Sequence, residues 1–401
     1  MTTIPVTVLT GFLGAGKTTL LNGLLREPAF ADTAVLINEF GSVALDHDLV
    51  AEFNDELIVT TTGCLCCSAS SDIRQSLFDL WNRRHKREIR AFRRVIVETT
   101  GLADPVPVVN ALLAAPGFSF VDRTVSGQFA LARVVTLVDA INGGGTLDRH
   151  LEAVKQVALA DAIVLTKTDL AKDPASLHDL AEDRRRLHAL NPCARILDRQ
   201  SDWSELCGIV LAQGSYDLRG KGEDALAWLQ AETLLGGERA HTHADVNRHG
   251  NDIRAHCIVV DEPVLPAAFN FLLHVLQLSA GPNLLRLKGL LALSDAPDRP
   301  VVVHGVQHVI HPIDRLPHWP SDDRRSRLVL IGRNLNIDAL RTILTASKRE
   351  ASSAARRALT AVALIAALSG AVMPARPSPT LPHAQLGVTD SPANGKPWSA
   401  T

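Results

Sequence analysis

The stretch Gly11-Phe12-Leu13-Gly14-Ala15-Gly16-Lys17-Thr18 constrains this chain more than any other. It satisfies G-x-x-x-x-G-K-[ST], a phosphate-binding loop that needs a buried strand before it and a helix after it. Both contexts are present. Ile4 to Thr10 is an apolar, β-branched run that reads as a buried strand, and Thr19 to Leu25 has helical spacing. Glycines let the backbone curl so that several N–H groups face phosphate oxygens, and the helix amino terminus adds partial positive charge. Gly11, Gly14, Ala15, Gly16, Lys17, Thr18 and Thr19 are therefore the expected phosphate-side residues. Lys17 can reach the β- and γ-phosphates, and the Thr18 hydroxyl can ligate Mg²⁺.

Ala34 to Ile37 reads as the second strand and runs into Asn38-Glu39-Phe40-Gly41. Open α/β sheets bind ligands at the carboxyl ends of their strands, which makes Glu39 a candidate metal contact. Asp46, His47 and Asp48 follow in the same loop. Glu56 to Thr60 reads as a third strand. Beyond it lie Cys64, Cys66 and Cys67, three thiols within four residues. Ile73, Leu77, Leu80 and Trp81 then mark an amphipathic helix, with Ser68 as a candidate cap. Thiols just ahead of a helix amino terminus are biased toward thiolate, a soft ligand for Zn²⁺ or Cu(I). Three thiolates leave a tetrahedral site one ligand short, and Glu39 or a water could complete it. An incomplete site suits a metal that must leave again. A redox pair and inert buried cysteines are the other readings. Six cysteines in 401 residues, three of them clustered, do not look like a disulfide framework.

Arg94 to Glu98 is the next strand, followed by Thr99-Thr100-Gly101-Leu102-Ala103-Asp104-Pro105. A carboxylate at this strand end holds Mg²⁺, commonly through water. The Gly101 N–H could approach the γ-phosphate, which makes the loop a sensor of that group. Lys17, Thr18, Glu98 and Gly101 form the expected catalytic set. Val134 to Ala140 and Ala162 to Leu165 read as strands, and the second ends in Thr166-Lys167-Thr168-Asp169, similar to the guanine-reading N-K-x-D. Asp169 would accept from the guanine N1–H and exocyclic amine, a pair adenine does not offer. The Lys167 stem would lie along the base. Thr166 stands where an Asn usually ties this loop to the phosphate loop, and its hydroxyl could do part of that. Leu177 to Leu190 reads as a helix and Arg195 to Leu197 as a last strand.

The segments GFLGAGKTTLLN, NEFG, GCLCC, ETTGLADP and TKTD, in that order, resemble the CobW-type GTPases. These are cobalamin-synthesis and zinc-chaperone relatives of the GTPases that insert nickel into urease and hydrogenase. The resemblance runs from residue 4 to about residue 345, and the cysteine motif between two nucleotide motifs is its most diagnostic piece. It implies Zn²⁺ or another divalent metal at Cys64, Cys66 and Cys67, with Glu39 nearby. It also implies GTP and Mg²⁺ as cofactors, and slow hydrolysis coupled to metal delivery to a client protein. Ser42 and Ala44 depart from the Glu and Gly of NEFGEVG-like members. Cobalt delivery for cobalamin synthesis, and a regulatory or storage protein with structurally bound GTP, are the alternatives; an ATP-using kinase is a third.

The expected architecture is an α/β phosphate-loop NTPase with a mostly parallel sheet, plus a smaller α+β carboxyl-terminal domain. The GTPase domain spans 1–213, a linker with scattered histidines 214–252, the second domain 253–345 and a disordered tail 346–401. In the second domain, His256 to Val260, Leu284 to Leu293, Pro300 to Gly305, Gln307 to Pro312 and Ser326 to Gly332 read as strands. Pro266 to Leu278 and Ile337 to Leu344 read as helices. Cys193, Cys207 and Cys257 are isolated and read as structural. A net charge of −2 argues against a general nucleic-acid footprint, and the basic run Arg83 to Arg87 reads as a solvated helix end. No signal-peptide pattern precedes the phosphate loop, so a cytoplasmic protein is expected. The apolar run Leu359 to Met373 is 15 residues, short of the ~20 a spanning helix needs, so no membrane partner is expected. A nucleotide- or metal-dependent homodimer is a further expectation.

Overall fold

The computed structural model describes residues 3–38, 58–62, 69–113, 117–212, 253–280, 283–311 and 313–346. Among these, strands β1 (Ile4–Gly11), β2 (Thr33–Asn38), β3 (Ile58–Thr62), β4 (Arg94–Glu98), β5 (Phe129–Asp139), β6 (Ala162–Thr166) and β7 (Arg195–Asp198) form one sheet. Their order is β3-β2-β4-β1-β5-β6-β7, and every neighbouring pair is parallel. Parallel strands need crossover helices, which cover both faces, so strands such as Arg94–Glu98 carry unbroken apolar runs. Alternate residues serve opposite faces. Val6, Val8, Val95 and Val97 join Ile73, Leu77 and Val109 in one core. Leu9, Val35, Ile96 and Val135 join Leu20, Leu24 and Leu206 in the other.

The covering helices are α1 (Lys17–Leu25), α2 (Ala69–His85), α3 (Val106–Leu113), α4 (Phe120–Gln128), α5 (Gly143–Arg149), α6 (Leu151–Leu159), α7 (Pro174–Leu190) and α8 (Trp203–Leu211). Five of them, α3 to α6 and α8, were not anticipated. They are short, and α3 is apolar nearly all round, so a helical period has no length in which to declare itself. α5 opens on three glycines, against intrinsic propensity. Strand β5 begins at Phe129 rather than at Val134, because Phe129 to Leu131 also pair with Ile4 to Val6 of β1.

The second sheet comprises β8 (Ile253–Val260), β9 (Leu284–Leu291), β10 (Val301–Val306), β11 (Val309–Ile310), β12 (Asp314–Arg315) and β13 (Ser326–Arg333). It is antiparallel in the order β11-β10-β9-β13-β8, with β12 also on β10. Gln307 takes a left-handed φ of 51°, so the expected strand from Gln307 shrinks to Val309–Ile310 after a tight turn. Helix α9 (Pro266–Val275) stops short of Leu278 and passes into a π-helical turn, Leu276–Ala280. With α10 (Ile337–Thr345) it covers one face, where Ile258, Leu287, Val303 and Leu330 meet Phe269, Leu272 and Leu340. The opposite face packs on the first domain. There Ile253, Leu285 and Ile331 share a core with Val154, Val157 and Leu187. Cross-strand register puts Cys257, Val329, Lys288 and His304 in one row of that face. Both sheets belong to the compact unit Met1–Ala355. No helix among the described residues is long and apolar enough to cross a membrane.

Candidate functional site

The site assembles where β1, β4 and β6 end. Gly11, Gly14 and Gly16 all have left-handed φ, at 143°, 73° and 86°. Gly11 also packs tightly: a β-carbon there would fall 2.5 Å from the Leu137 carbonyl oxygen. Gly16 turns the chain into α1 as its amino-terminal cap, so Lys17, Thr18 and Thr19 form the first turn. The Lys17 ammonium is nearly buried and donates to Gly11 O at 2.9 Å and Phe12 O at 3.2 Å. Parallel register sets Leu9 opposite Glu98, which brings the end of β4 beside the phosphate loop. There the Thr18 hydroxyl donates to Glu98 Oε1 at 2.9 Å, and Glu98 is 5% exposed. A hydroxyl and a carboxylate held together are hard oxygen donors that fit Mg²⁺.

The loop after β4 is pinned on several sides. Thr99 N donates to Leu9 O at 3.0 Å, and Thr99 Oγ1 to Thr10 Oγ1 at 2.9 Å. Gly101 lies against the backbone of Leu13, within the phosphate loop itself. Asp104 Oδ1 accepts from the Val106 amide at 3.0 Å, and Asp104 Oδ2 pairs with Lys155 at 2.7 Å.

At the end of β6, Thr166 Oγ1 donates to Ala15 O at 2.9 Å. The threonine hydroxyl thus makes a tie to the phosphate loop, as expected of it in the place of the usual asparagine. Lys167 sits at φ 59°, a left-handed conformation that re-aims the chain into the turn Thr168–Leu170. Its ammonium lies 2.6 Å from Asp139 Oδ2. Burial pushes the Asp139 carboxyl up, but the Lys167 ammonium and the Ile141 and Asn142 amides outweigh it and hold it below the usual range. Asp169 Oδ1 accepts from Gln200 Nε2 at 3.2 Å, and Thr168 Oγ1 donates to Asp198 Oδ1 at 2.9 Å.

Asp139, Asp198 and Gln200 were not among the expected residues. Asp139 and Asp198 end parallel strands, and that position alone could have flagged them. Glu39, Cys64, Cys66 and Cys67 lie outside the described residues, as do Asp46, His47 and Asp48. The strands that lead into them are described. Register pairs Asn38 with Thr62, and Ile37 with Glu98. The chain therefore enters the Glu39 segment and the cysteine segment from the same sheet end as Glu98.

Residues 5–196 match the family model described as "CobW/HypB/UreG, nucleotide-binding domain". Residues 253–348 match "Cobalamin synthesis protein cobW C-terminal domain". The zinc chaperone YjiA of Escherichia coli (strain K12) is 32% identical over 341 residues, covering 85% of this chain and 98% of YjiA. The zinc chaperone CobW of Sinorhizobium sp is 27% identical, covering 86% of this chain and 97% of CobW. The crystal structure of Zn(II)-bound YjiA GTPase from E. coli superposes with a TM-score of 0.61 at 27% identity, over 86% of this chain and 98% of that one.

Proposed function

As the chain belongs to the CobW/HypB/UreG family, we propose that it is a GTP-hydrolysing metallochaperone that carries a divalent transition metal, zinc foremost, to a client protein. Lys17, Thr18, Glu98 and Gly101 serve the triphosphate, Thr166, Lys167 and Asp169 serve the guanine, and Cys64, Cys66 and Cys67 with Glu39 carry the cargo. Bound Mg²⁺ would neutralise charge on the β- and γ-phosphate oxygens. The observation that carries this reading is the shared exit edge. β2, which leads into Glu39, ends beside β4, whose terminal Glu98 holds the Thr18 hydroxyl, and β3, which leads into the cysteines, ends beside β2 at the same end of the sheet. Cargo ligands on loops that leave beside the γ-phosphate position can move with the nucleotide state, which differential metal affinity requires.

In this reading residues 1–213 form the GTPase, 253–345 a domain that reports its state to a client, and 214–252 and 346–401 a linker and a tail. The reading includes nucleotide- or metal-dependent homodimerisation, which sedimentation in the two nucleotide states measures. The deciding experiment titrates Zn²⁺ into the protein holding a non-hydrolysable GTP analogue and into the GDP form, beside a Cys66→Ala, Cys67→Ala double variant. Different affinities in the parent, with high-affinity binding lost in the variant, are expected. Equal affinities in the two states would end the coupling claim.

A further inference from the structure

Helix α6 touches both the loop after β4 and the second sheet. Gln156, in its middle, is 1% exposed. Its Nε2 donates to Gly101 O at 3.2 Å and to Ala103 O at 3.1 Å. Its own carbonyl accepts from Thr136 Oγ1 at 2.7 Å. One residue earlier, Lys155 pairs with Asp104. The segment from Gly101 to Asp104 is therefore suspended from α6 by neighbouring side chains.

The other end of α6 is shared between Asn191, which caps α7, and the second sheet. The last carbonyls of a helix lack partners within it and must find them elsewhere. Asn191 Nδ2 donates to Val157 O at 2.8 Å, Ala158 O at 3.2 Å and Ala160 O at 2.9 Å. Arg286 of β9 donates to Leu159 O. Just past the helix, Asp161 Oδ1 accepts from Arg286 and, at 2.9 Å, from Lys288. Asp161 Oδ2 accepts from Val134 N at 2.8 Å. Two cations thus meet the negative end of the helix dipole and a carboxylate in a buried interface. Charges so placed are held to their partners, because separating them there is costly.

We propose that Gln156 is a positioning residue for the Gly101 segment, and that α6 carries movement of that segment to β9 through Arg286 and Lys288. The proposal rests on the nucleotide-site reading above. Gln156 suits the task because its amide has two N–H donors, one for each loop carbonyl. A nine-residue helix clamped at both ends moves as one body, so a loop that shifts with the γ-phosphate displaces both ends together. Linkage makes the effect reciprocal: whatever engages the second sheet alters the preference for GTP over GDP by the same factor.

The test uses the full chain and two variants, Gln156→Met, which keeps length and loses the donor, and Arg286→Met. Affinities for a non-hydrolysable GTP analogue and for GDP are measured, with kcat and KM for GTP. Gln156→Met is expected to lower kcat and analogue affinity by ~10-fold while GDP affinity stays within about 2-fold. Arg286→Met, remote from the nucleotide, is expected to reduce the analogue-over-GDP preference by ~5-fold. An unchanged preference in both variants overturns the proposal. Hydrogen exchange of the unaltered protein supplies a reading that no misfolded variant can cloud. Exchanging GDP for the analogue should change protection at 101–104 and at 286–288 together, and a change at the first alone overturns the link. Absence of GTP turnover in the parent, with analogue and GDP still discriminated, would count against hydrolysis and leave the α6 link standing.

Discussion

Gly101 lies so close to Leu13 that a β-carbon at residue 101 would stand 2.6 Å from the Leu13 amide nitrogen and 2.8 Å from its Cα. The two loops that would handle the triphosphate are in backbone contact, and movement of one is felt by the other. Sequence reasoning assigned this glycine to the approach of its N–H to phosphate. The packing against Leu13 adds a second reason for it.

Gly101→Ala should therefore force the loops apart. Overpacking of this kind costs about 1–3 kcal/mol. Displacing a phosphate-sensing segment by a fraction of an ångström should lower GTP turnover by ~10-fold or more. Steady-state phosphate release beside GDP affinity checks it. Turnover at the parental rate would show that the loop yields without consequence.

Thr18→Val removes the hydroxyl that meets Glu98 and keeps the shape of the side chain. Mg²⁺-dependent turnover should fall by ~100-fold. GDP binding measured without Mg²⁺ should change little. A Mg²⁺ titration of GTP hydrolysis separates the two, and an unshifted Mg²⁺ requirement would contradict the ligand role.

Asp169→Asn replaces an acceptor pair with a group that also donates. GTP affinity should drop by at least ~100-fold, because a site built for the guanine N–H pair is left mismatched. Xanthosine triphosphate, which carries a carbonyl where guanine has its amine, should gain affinity. Competition binding with GTP, ATP and the xanthine nucleotide reads this directly.

Thr166→Val deletes the buried hydrogen bond to Ala15 O. An acceptor left without its partner costs about 1–3 kcal/mol. Denaturant unfolding without nucleotide should show that loss, and the KM for GTP should rise a few-fold as the phosphate and base loops uncouple.

Asp161 contributes to the acid limb of stability. Burial alone would raise its carboxyl, but Arg286 and Lys288 hold it far below the usual carboxylate range. A depressed folded value means the unfolded chain takes up protons first as pH falls. The stabilisation is complete above the unfolded value, about pH 4, and is lost progressively below it. Asp161→Asn should flatten that dependence. It should also cost about 3–5 kcal/mol at neutral pH, since it leaves buried cations facing a neutral amide. Urea unfolding between pH 3 and 7 checks both, and a variant with the parent's acid limb would refute the assignment.

The nucleotide loops were legible because their chemistry is written locally. A glycine turn, a lysine and a threonine act within a few residues of one another. Glu98 was legible because an acidic residue closing an apolar strand is a positional signal. Gln156 gave none: it is a polar residue inside a short helix, and its task appears only once Gly101 and Ala103 lie beside it. Arg286 and Lys288 lie two apart in a strand, and nothing in that spacing names Asp161 as their shared partner.

What the residues settled unaided was the class of the fold, the phosphate loop and the order of the first sheet's strands along the chain. Those rest on backbone conformation and hydrophobic runs, which neighbouring residues impose on one another. Folding in three dimensions decided which strand ends share an edge, that Gly101 abuts Leu13, and that Asp161 receives Arg286 from 125 positions away. Such pairings carry no period and no spacing. They arise when two independently formed layers are pressed together and every buried charge must find a partner in the contact so made.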